Sequence, residues 1–370
     1  MKNFDGLCGM GVLGVFLLTM SAAAQTRSPA LLVLEKSDDS LAIIDPGSAK
    51  IVARVPAGRD PHEIVASSDG KTAYISNYGG TDSSLNTISV VDLFAQKALP
   101  PINLGALHSA HGLAFAGGKL YFTVETNKAF GRYDPATQQI DWILGTGQDR
   151  THMITVSENL DRVFTANVNS GTISIIEQVM PSFPPQGGPP GGGPGNGPGN
   201  GPPPGNGPPP GTPRKTWRVT NVPAGRGAEG FDVSPDGKQI WAANAQDGTV
   251  TIIDVASKKA VLTLPISVNH ANRLKFTPDG LRVLVSGLGG GPAAHGSNLA
   301  VLDAATHKEL KQLDLGGGSA GILIVGDGSR AYVAVSEKDK VVVVDLKRLE
   351  VAGEIATGKQ PDGLAWAERR

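Results

Sequence analysis

The sequence predicts an all-β protein, a seven-bladed β-propeller of four-stranded blades whose ring is closed by N- and C-terminal strands in one blade. Three observations predict this fold. Short apolar runs recur after Asp-Gly turns, a second run usually ends in an acidic residue, and the repeat length is about 45 residues. Runs rich in β-branched residues between short polar spacers are typical of strands rather than helices.

The repeats can be placed in register along the chain. Residues 72–77 (TAYISN) and 239–244 (QIWAAN), for example, each follow an Asp-Gly turn. The repeats begin near residues 60, 109, 150, 227, 270, 319 and 360. The last repeat supplies one strand, whereas residues 31–55 resemble the later strands of a repeat. We therefore expect the two chain ends to share a blade, which leaves no open sheet edge.

The repeats resemble those of YVTN-family proteins, which are seven-bladed propellers of the YncE-like kind. The resemblance is carried by motifs such as SPDGK at 234–238, IWAAN at 240–244 and GTV at 248–250. It covers residues 30–178 and 216–370, and it implies an architecture rather than a particular activity. The sequence lacks the Trp-Asp pairs typical of WD40 blades and the Asp-box pattern of sialidases.

The N-terminus has the features of a secretory signal peptide over residues 1–24. Lys2 precedes an apolar run at 7–20, and three alanines at 22–24 precede the expected cleavage site. The alternative is a retained membrane anchor, but about 14 apolar residues are too few to span a bilayer. We expect a periplasmic or secreted protein whose mature chain, residues 25–370, is a single propeller domain without a membrane span.

Composition excludes several functional classes. The only cysteine, Cys8, lies within the signal peptide, so disulfides, thiolate catalysis and cysteine-ligated metals are excluded from the mature chain. A net charge of −1 with 18% charged residues argues against nucleic-acid binding, which requires a basic surface. We expect a monomer.

One segment carries much of the glycine and proline of the chain. Residues 181–213 contain 14 prolines and 12 glycines in 33 positions, inside the third repeat. This composition predicts a disordered, solvated loop inserted between outer strands. The alternative is a Pro-rich segment that docks to a protein or cell-wall partner.

One side chain per repeat falls just before the predicted innermost strand and should face the central channel. In chain order these residues are His62, His111, His152, Glu229, Asn272, Gly321 and Asp362. Three of them are histidines, against about 0.13 expected from composition. Neutral imidazoles with a carboxylate suit a divalent metal, for which His62, His111, His152 and Glu229 are the candidates. A pair formed by histidine and Glu229 also suits acid–base catalysis, for which the candidates are His111, His152 and Glu229. The alternative is a structural role in a polar channel.

In six of the seven repeats, a basic side chain lies two or three residues before the channel-facing position. These residues are Arg59, His108, Arg150, Arg226, His270 and Lys359. A ring of cations at a channel mouth would attract an anion, and arginine binds carboxylates and phosphates in bidentate fashion. The sequence therefore favours an exported binding or scaffold protein for a small anionic ligand or a partner. The alternative is an enzyme, either a lactonase-like hydrolase or a metal-dependent lyase. The sequence identifies no cofactor beyond a possible divalent metal.

Export predicts a defined mature N-terminus. When the whole chain is produced in a Gram-negative host, the periplasmic protein should begin at Gln25, as measured by intact mass and N-terminal sequencing. A Leu13→Arg variant should accumulate as unprocessed precursor, because the charge interrupts the apolar run. Ser28→Ala, just beyond the cleavage site, serves as the matched control. A mature protein that retains residues 1–24 would contradict the prediction.

Overall fold

A computed structural model describes residues 29–79, 85–180, 215–289 and 298–368. The predicted signal peptide (1–24) and the glycine- and proline-rich loop (181–213) lie outside the described residues. Strands make up nearly all the regular structure of the described part, together with two short 3₁₀ turns. No helix among these residues is long and apolar enough to cross a membrane.

The strands form seven antiparallel sheets of four strands each, as the sequence predicts. The innermost strands are Pro61–Ala66 (β4), Ala110–Ala116 (β8), Thr151–Val156 (β12), Ala228–Val233 (β16), Ala271–Phe276 (β20), Ile322–Ile324 (β24) and Pro361–Ala367 (β28). Each innermost strand contacts the innermost strand of the blade on either side, so the seven strands surround a central channel.

The remaining strands follow in order from the channel to the rim. The second strands are Ala30–Glu35 (β1), Thr72–Asn77 (β5), Lys119–Val124 (β9), Arg162–Asn167 (β13), Gln239–Asn244 (β17), Arg282–Gly287 (β21) and Arg330–Val335 (β25). The third strands are Ser40–Asp45 (β2), Thr87–Asp92 (β6), Ala129–Asp134 (β10), Thr172–Val179 (β14), Thr249–Asp254 (β18), Leu299–Asp303 (β22) and Lys340–Asp345 (β26). The outer strands are Lys50–Pro56 (β3), Lys97–Asn103 (β7), Gln139–Gly145 (β11), Thr216–Pro223 (β15), Lys259–Pro265 (β19), Glu309–Leu313 (β23) and Glu350–Ala356 (β27).

The ring is closed by strands from opposite ends of the chain. Strand β28 pairs antiparallel with β1, so the C-terminal strand is the innermost strand of a blade that β1, β2 and β3 complete. The predicted closure is therefore confirmed. The 3₁₀ turn Lys36–Asp38 follows β1, and the equivalent turn Ser336–Lys338 follows β25 in the preceding blade.

Burial follows the position of a strand within its blade. The second and third strands are covered on both faces by neighbouring blades, and Trp241 on β17 is fully buried. The outer strands face solvent, and nearly all of β19 is exposed. This gradient explains why the second strands are continuous apolar runs while the outer strands alternate with polar residues.

The innermost strands approach one another closely enough to require glycine. A Cβ atom on Gly112 of β8 would lie 2.4 Å from the carbonyl oxygen of His152 on β12. A Cβ atom on Gly363 of β28 would lie 2.5 Å from the carbonyl oxygen of His62 on β4. Both distances are well inside van der Waals contact, so the missing side chains allow adjacent backbones to line a narrow channel.

This close approach predicts the effect of one added methyl group. Gly112→Ala should lower the free energy of unfolding by about 1–3 kcal/mol, because the innermost strands of two blades must separate to accommodate it. Urea unfolding followed by tryptophan fluorescence measures the change. Gly145→Ala, at the solvent-facing end of the same blade with no heavy atom within 4 Å, is the matched control. Equal stability of the two variants would contradict the prediction.

Candidate functional site

A β-bulge at the channel end of the innermost strands presents the site residues. In β4, β8, β12 and β16 the pairing register shifts between the first and fourth residues of the strand. The second residues of these strands are His62, His111, His152 and Glu229. The sequence placed them just before the strands, whereas the structure places them within the strands, because the bulge interrupts the pairing that would mark the strand start. Bulges of this kind redirect side chains, here toward the channel.

These side chains line a cavity of about 230 Å³ at the channel mouth. The predicted site residues that line it are His62, His111, Arg150, His152, Glu229, Asn272 and Asp362. They come from six of the seven blades, so the fold brings together residues that are up to 300 positions apart in the sequence. Two cations that sequence reasoning missed, Lys36 and Arg273, also line the cavity.

Most of the predicted basic ring lies outside the cavity. Of its six members only Arg150 is among the lining residues. Arg59, His270 and Lys359 are exposed on the rim. Arg226 points to solvent with its Nε atom 2.7 Å from Asp247 Oδ1, so a carboxylate of the same blade holds it away from the channel.

The three histidines form a row around the mouth. The ring centroids of His62 and His111 are 5.0 Å apart, and those of His111 and His152 are 3.6 Å apart with an interplanar angle of 30°. The His62 ring lies between Asp60, 3.2 Å from Nε2, and Asp362, 3.7 Å from Nδ1. Adjacent imidazolium charges repel each other, which disfavours the charged form of His111 beside His152.

A buried carboxylate fixes the orientation of His152. The Nδ1 atom of His152 is hydrogen-bonded to Glu125 Oε1, and the Tyr78 hydroxyl donates to Glu125 Oε2 at 2.7 Å. Burial opposes ionisation of Glu125, but the contact with His152 outweighs it and lowers the pKa of this carboxyl. Burial and the hydrogen bond to Glu125 raise the pKa of Tyr78 to about 12, which keeps the phenol protonated. Sequence reasoning missed Glu125, which follows β9 in a turn with no acidic equivalent in the other repeats.

The pKa values of His111 and His152 are shifted in opposite directions. Burial disfavours the charged imidazolium of His152, but the hydrogen bond to Glu125 and the ionic contact with Glu229 outweigh it and raise its pKa. The pKa of His111 is well below its usual value, because burial and then the positive charges of His152 and His62 disfavour a further cation. The two stacked rings therefore differ in basicity, and His152 is the more basic of the pair.

A second group of charges lies deeper in the channel. Glu229 Oε1 accepts from Asn272 Nδ2 at 2.8 Å and lies 3.5 Å from Arg273 Nη1. Arg273 Nη2 also contacts Glu63 Oε1 at 2.7 Å, across the channel from a non-adjacent blade. Burial opposes ionisation of Glu229, but His152 and Arg273 outweigh it and lower its pKa to about 2. Burial likewise opposes the charge of Arg273, and Glu63 and Glu229 outweigh it and raise the pKa of Arg273 further.

Some buried polar atoms of this site have no hydrogen-bond partner among the described residues. They are His111 Nδ1, His152 Nε2 and Asn272 Oδ1. Side-chain atoms of His111, Glu125 and His152 also lie within 4.8 Å of one another, a spacing at which they could share a metal ion. This group differs from the predicted metal set, because Glu125 enters it while His62 and Glu229 do not.

Comparisons with known proteins support the architecture. The sequence matches no established family profile and no curated protein. The fold is similar to hydrazine synthase from Kuenenia stuttgartiensis, with 18% identity and a TM-score of 0.58 over 84% of this chain and 90% of that chain. It is also similar to a functionally unknown protein from Desulfotomaculum acetoxidans DSM 771, with 10% identity and a TM-score of 0.65 over 91% and 98% of the two chains. At such low identity these similarities show the β-propeller fold alone.

The ion pair across the channel predicts strong coupling between two distant blades. Arg273→Met or Glu63→Gln alone should each lower the free energy of unfolding by about 3–5 kcal/mol, because each leaves a buried charge without its partner. The double variant should lose less than the sum of the two, as measured by urea unfolding. Lys71→Met is the control, because its pairing with Asp69 is largely exposed and should contribute at most about 1 kcal/mol. Additive effects of the channel variants would contradict the coupling.

Proposed function

We propose that this protein is an exported binding protein of the YVTN type that takes a small anionic ligand at the channel mouth. The observation that carries the proposal is the cavity at the channel mouth, which is lined by charged and histidine side chains from six blades. Burying charge is costly and contributes little to stability, since well-packed apolar residues would stabilise the core as well or better. Concentrations of buried, perturbed charges in a cleft therefore favour a functional role.

The charge of the lining favours an anion. The cavity is lined by three permanent cations, Lys36, Arg150 and Arg273, but by only two carboxylates, Glu229 and Asp362. Arg273 pairs with Glu63 and is only 10% exposed, whereas the side chains of Lys36 and Arg150 are 29% and 36% exposed.

These two cations keep donors for a ligand. Lys36 Nζ lies 3.4 Å from Asp362 Oδ2, and Arg150 Nε lies 3.4 Å from Glu125 Oε2. Charge-assisted hydrogen bonds are shorter, about 2.7–2.9 Å. An ammonium offers three N–H donors and a guanidinium five, so each cation has donors beyond the one that faces its carboxylate. A carboxylate or phosphate at the mouth would therefore find donors from two blades.

The cavity volume limits the ligand. A volume of about 230 Å³ is below the range of about 300–1,000 Å³ typical of sites for drug-sized molecules. The space suits a small carboxylate or phosphate compound. A macromolecular partner, such as a protein or a cell-wall polymer, would instead contact the rim, where Arg59 and Lys359 are exposed.

A second candidate function is hydrolysis or elimination at the same site. It is favoured by the Glu125–His152 pair, in which a buried carboxylate orients an imidazole that lies 3.4 Å from Glu229. This arrangement suits general acid–base catalysis of a lactonase-like or lyase-like reaction. Turnover of lactones that is lost in Glu125→Gln would favour the enzyme.

The anion proposal is tested by thermal unfolding of chelator-treated mature protein with a panel of phosphate, pyrophosphate, citrate and small hydroxy acids. At least one compound should stabilise the wild type, by about 2.7 kcal/mol at 100 times its Kd. A Lys36→Met/Arg150→Met double variant should lose at least tenfold in affinity.

Arg226→Met is the matched control, because this arginine belongs to the predicted ring but its side chain is 77% exposed and paired with Asp247. The anion proposal fails if no compound in the panel stabilises the wild type. It also fails if the double variant responds as the wild type does.

A further inference from the structure

His152 has the orientation of a histidine that ligates a metal. Its Nδ1 atom faces Glu125 Oε1, and a carboxylate can only accept, so Nδ1 carries the proton. The lone pair of a neutral ring is then on Nε2, which points the opposite way into the channel. Metal-ligating histidines usually donate their other ring N–H to a carboxylate, which fixes the tautomer and raises the basicity of the ligand.

The contact between His152 and Glu229 lacks a hydrogen bond. Nε2 of His152 lies 3.4 Å from Glu229 Oε1, and this buried nitrogen has no hydrogen-bond partner among the described residues. A proton shared between them would shorten the contact to about 2.7–2.9 Å. Two ligand atoms at about 2.0–2.1 Å from one tetrahedral zinc ion lie about 3.4 Å from each other. The observed separation of 3.4 Å between His152 Nε2 and Glu229 Oε1 therefore matches two ligands of one metal ion rather than a shared proton.

Two more buried donor atoms lie beside this pair. His111 stacks on His152, and its Nδ1 atom has no partner among the described residues. Asn272 donates to Glu229 through Nδ2, which leaves its buried Oδ1 atom without a partner. Nitrogen and oxygen donors of this kind suit divalent first-row transition metals.

We infer that the channel binds a divalent first-row transition-metal ion between His152 Nε2 and Glu229, with Glu125 as the positioning residue. The inference deepens the proposed binding role of the cavity, but it rests on donor atoms that the anion proposal does not use. His62 is left out of the ligand set, because its two nitrogens lie near Asp60 and Asp362.

The surrounding charges tolerate such an ion. Glu125 and Glu229 supply two negative charges. Arg150 lies 3.4 Å from Glu125, and Arg273 lies 3.5 Å from Glu229 but contacts Glu63 more closely, at 2.7 Å. Glu125 is itself held by the Tyr78 hydroxyl at 2.7 Å. The ion would therefore lie among carboxylates that are already ordered, which lowers the cost of arranging its ligands.

Calorimetric titration of ZnCl₂ into chelator-treated mature protein, in a buffer free of anionic ligands, tests the inference. The wild type should bind one zinc ion per chain. His152→Ala and Glu229→Gln should each weaken binding at least 100-fold, and Glu125→Gln should weaken it 10- to 100-fold. Titration with CoCl₂ should give the intense visible absorption of a four-coordinate site.

His270→Asn is the matched control, because this histidine is exposed on the rim and asparagine tolerates its φ of 55°. Circular dichroism of each variant verifies folding, and the near-isosteric Glu125→Gln keeps the test valid if His152→Ala unfolds. The inference is overturned if the wild type binds no zinc stoichiometrically. It is equally overturned if Glu125→Gln and Glu229→Gln bind as tightly as His270→Asn does. The anion panel is run with chelator and the zinc titration without anions, so each proposal can fail alone.

Discussion

The close approach of seven innermost strands is the constraint on which the rest of the molecule depends. Seven blades meet around one axis, and glycines such as Gly112 let neighbouring backbones come within contact distance of each other. The bulges at the strand ends then direct one side chain from each of four successive blades into the channel mouth, where each is largely buried. Any ionisable group placed there loses hydration and needs a partner from another blade.

The polar groups of the channel form one continuous chain that follows from this constraint. Proton-donating groups alternate with carboxyl groups along this chain, and each member contacts the next. From the mouth inward the members are Tyr78, Glu125, His152, Glu229, Arg273 and Glu63. Burial opposes the ionisation of Glu125 and Glu229, but a basic group from another blade faces each carboxyl and lowers its pKa. His111 is the exception. Its buried Nδ1 atom has no hydrogen-bond partner among the described residues, so the chain of ion pairs does not extend to this ring.

The number of blades, the shared terminal blade and the channel-facing positions could all be predicted from the sequence, because each is a periodic property of the repeats. His62, His111 and His152 recur at equivalent positions, so their register alone places them together. The partners of these residues break the periodicity. Glu125 occurs in one turn only, and Arg273 and Glu63 meet across the ring through a contact that no repeat register encodes. The basic ring shows what periodicity cannot predict. The spacing of the repeats predicts that Arg226 lies near the mouth, but its ion pair with Asp247 of the same blade turns the side chain away from the channel.

Ring closure makes the order of assembly matter for the binding cavity. Lys36 follows β1 at one end of the chain, Asp362 lies in β28 at the other, and both line the same cavity. Neither can take its position until the last strand has been synthesised and has joined the first. A nascent chain therefore carries six blades without a finished pocket, and any species captured by the cavity must arrive after synthesis.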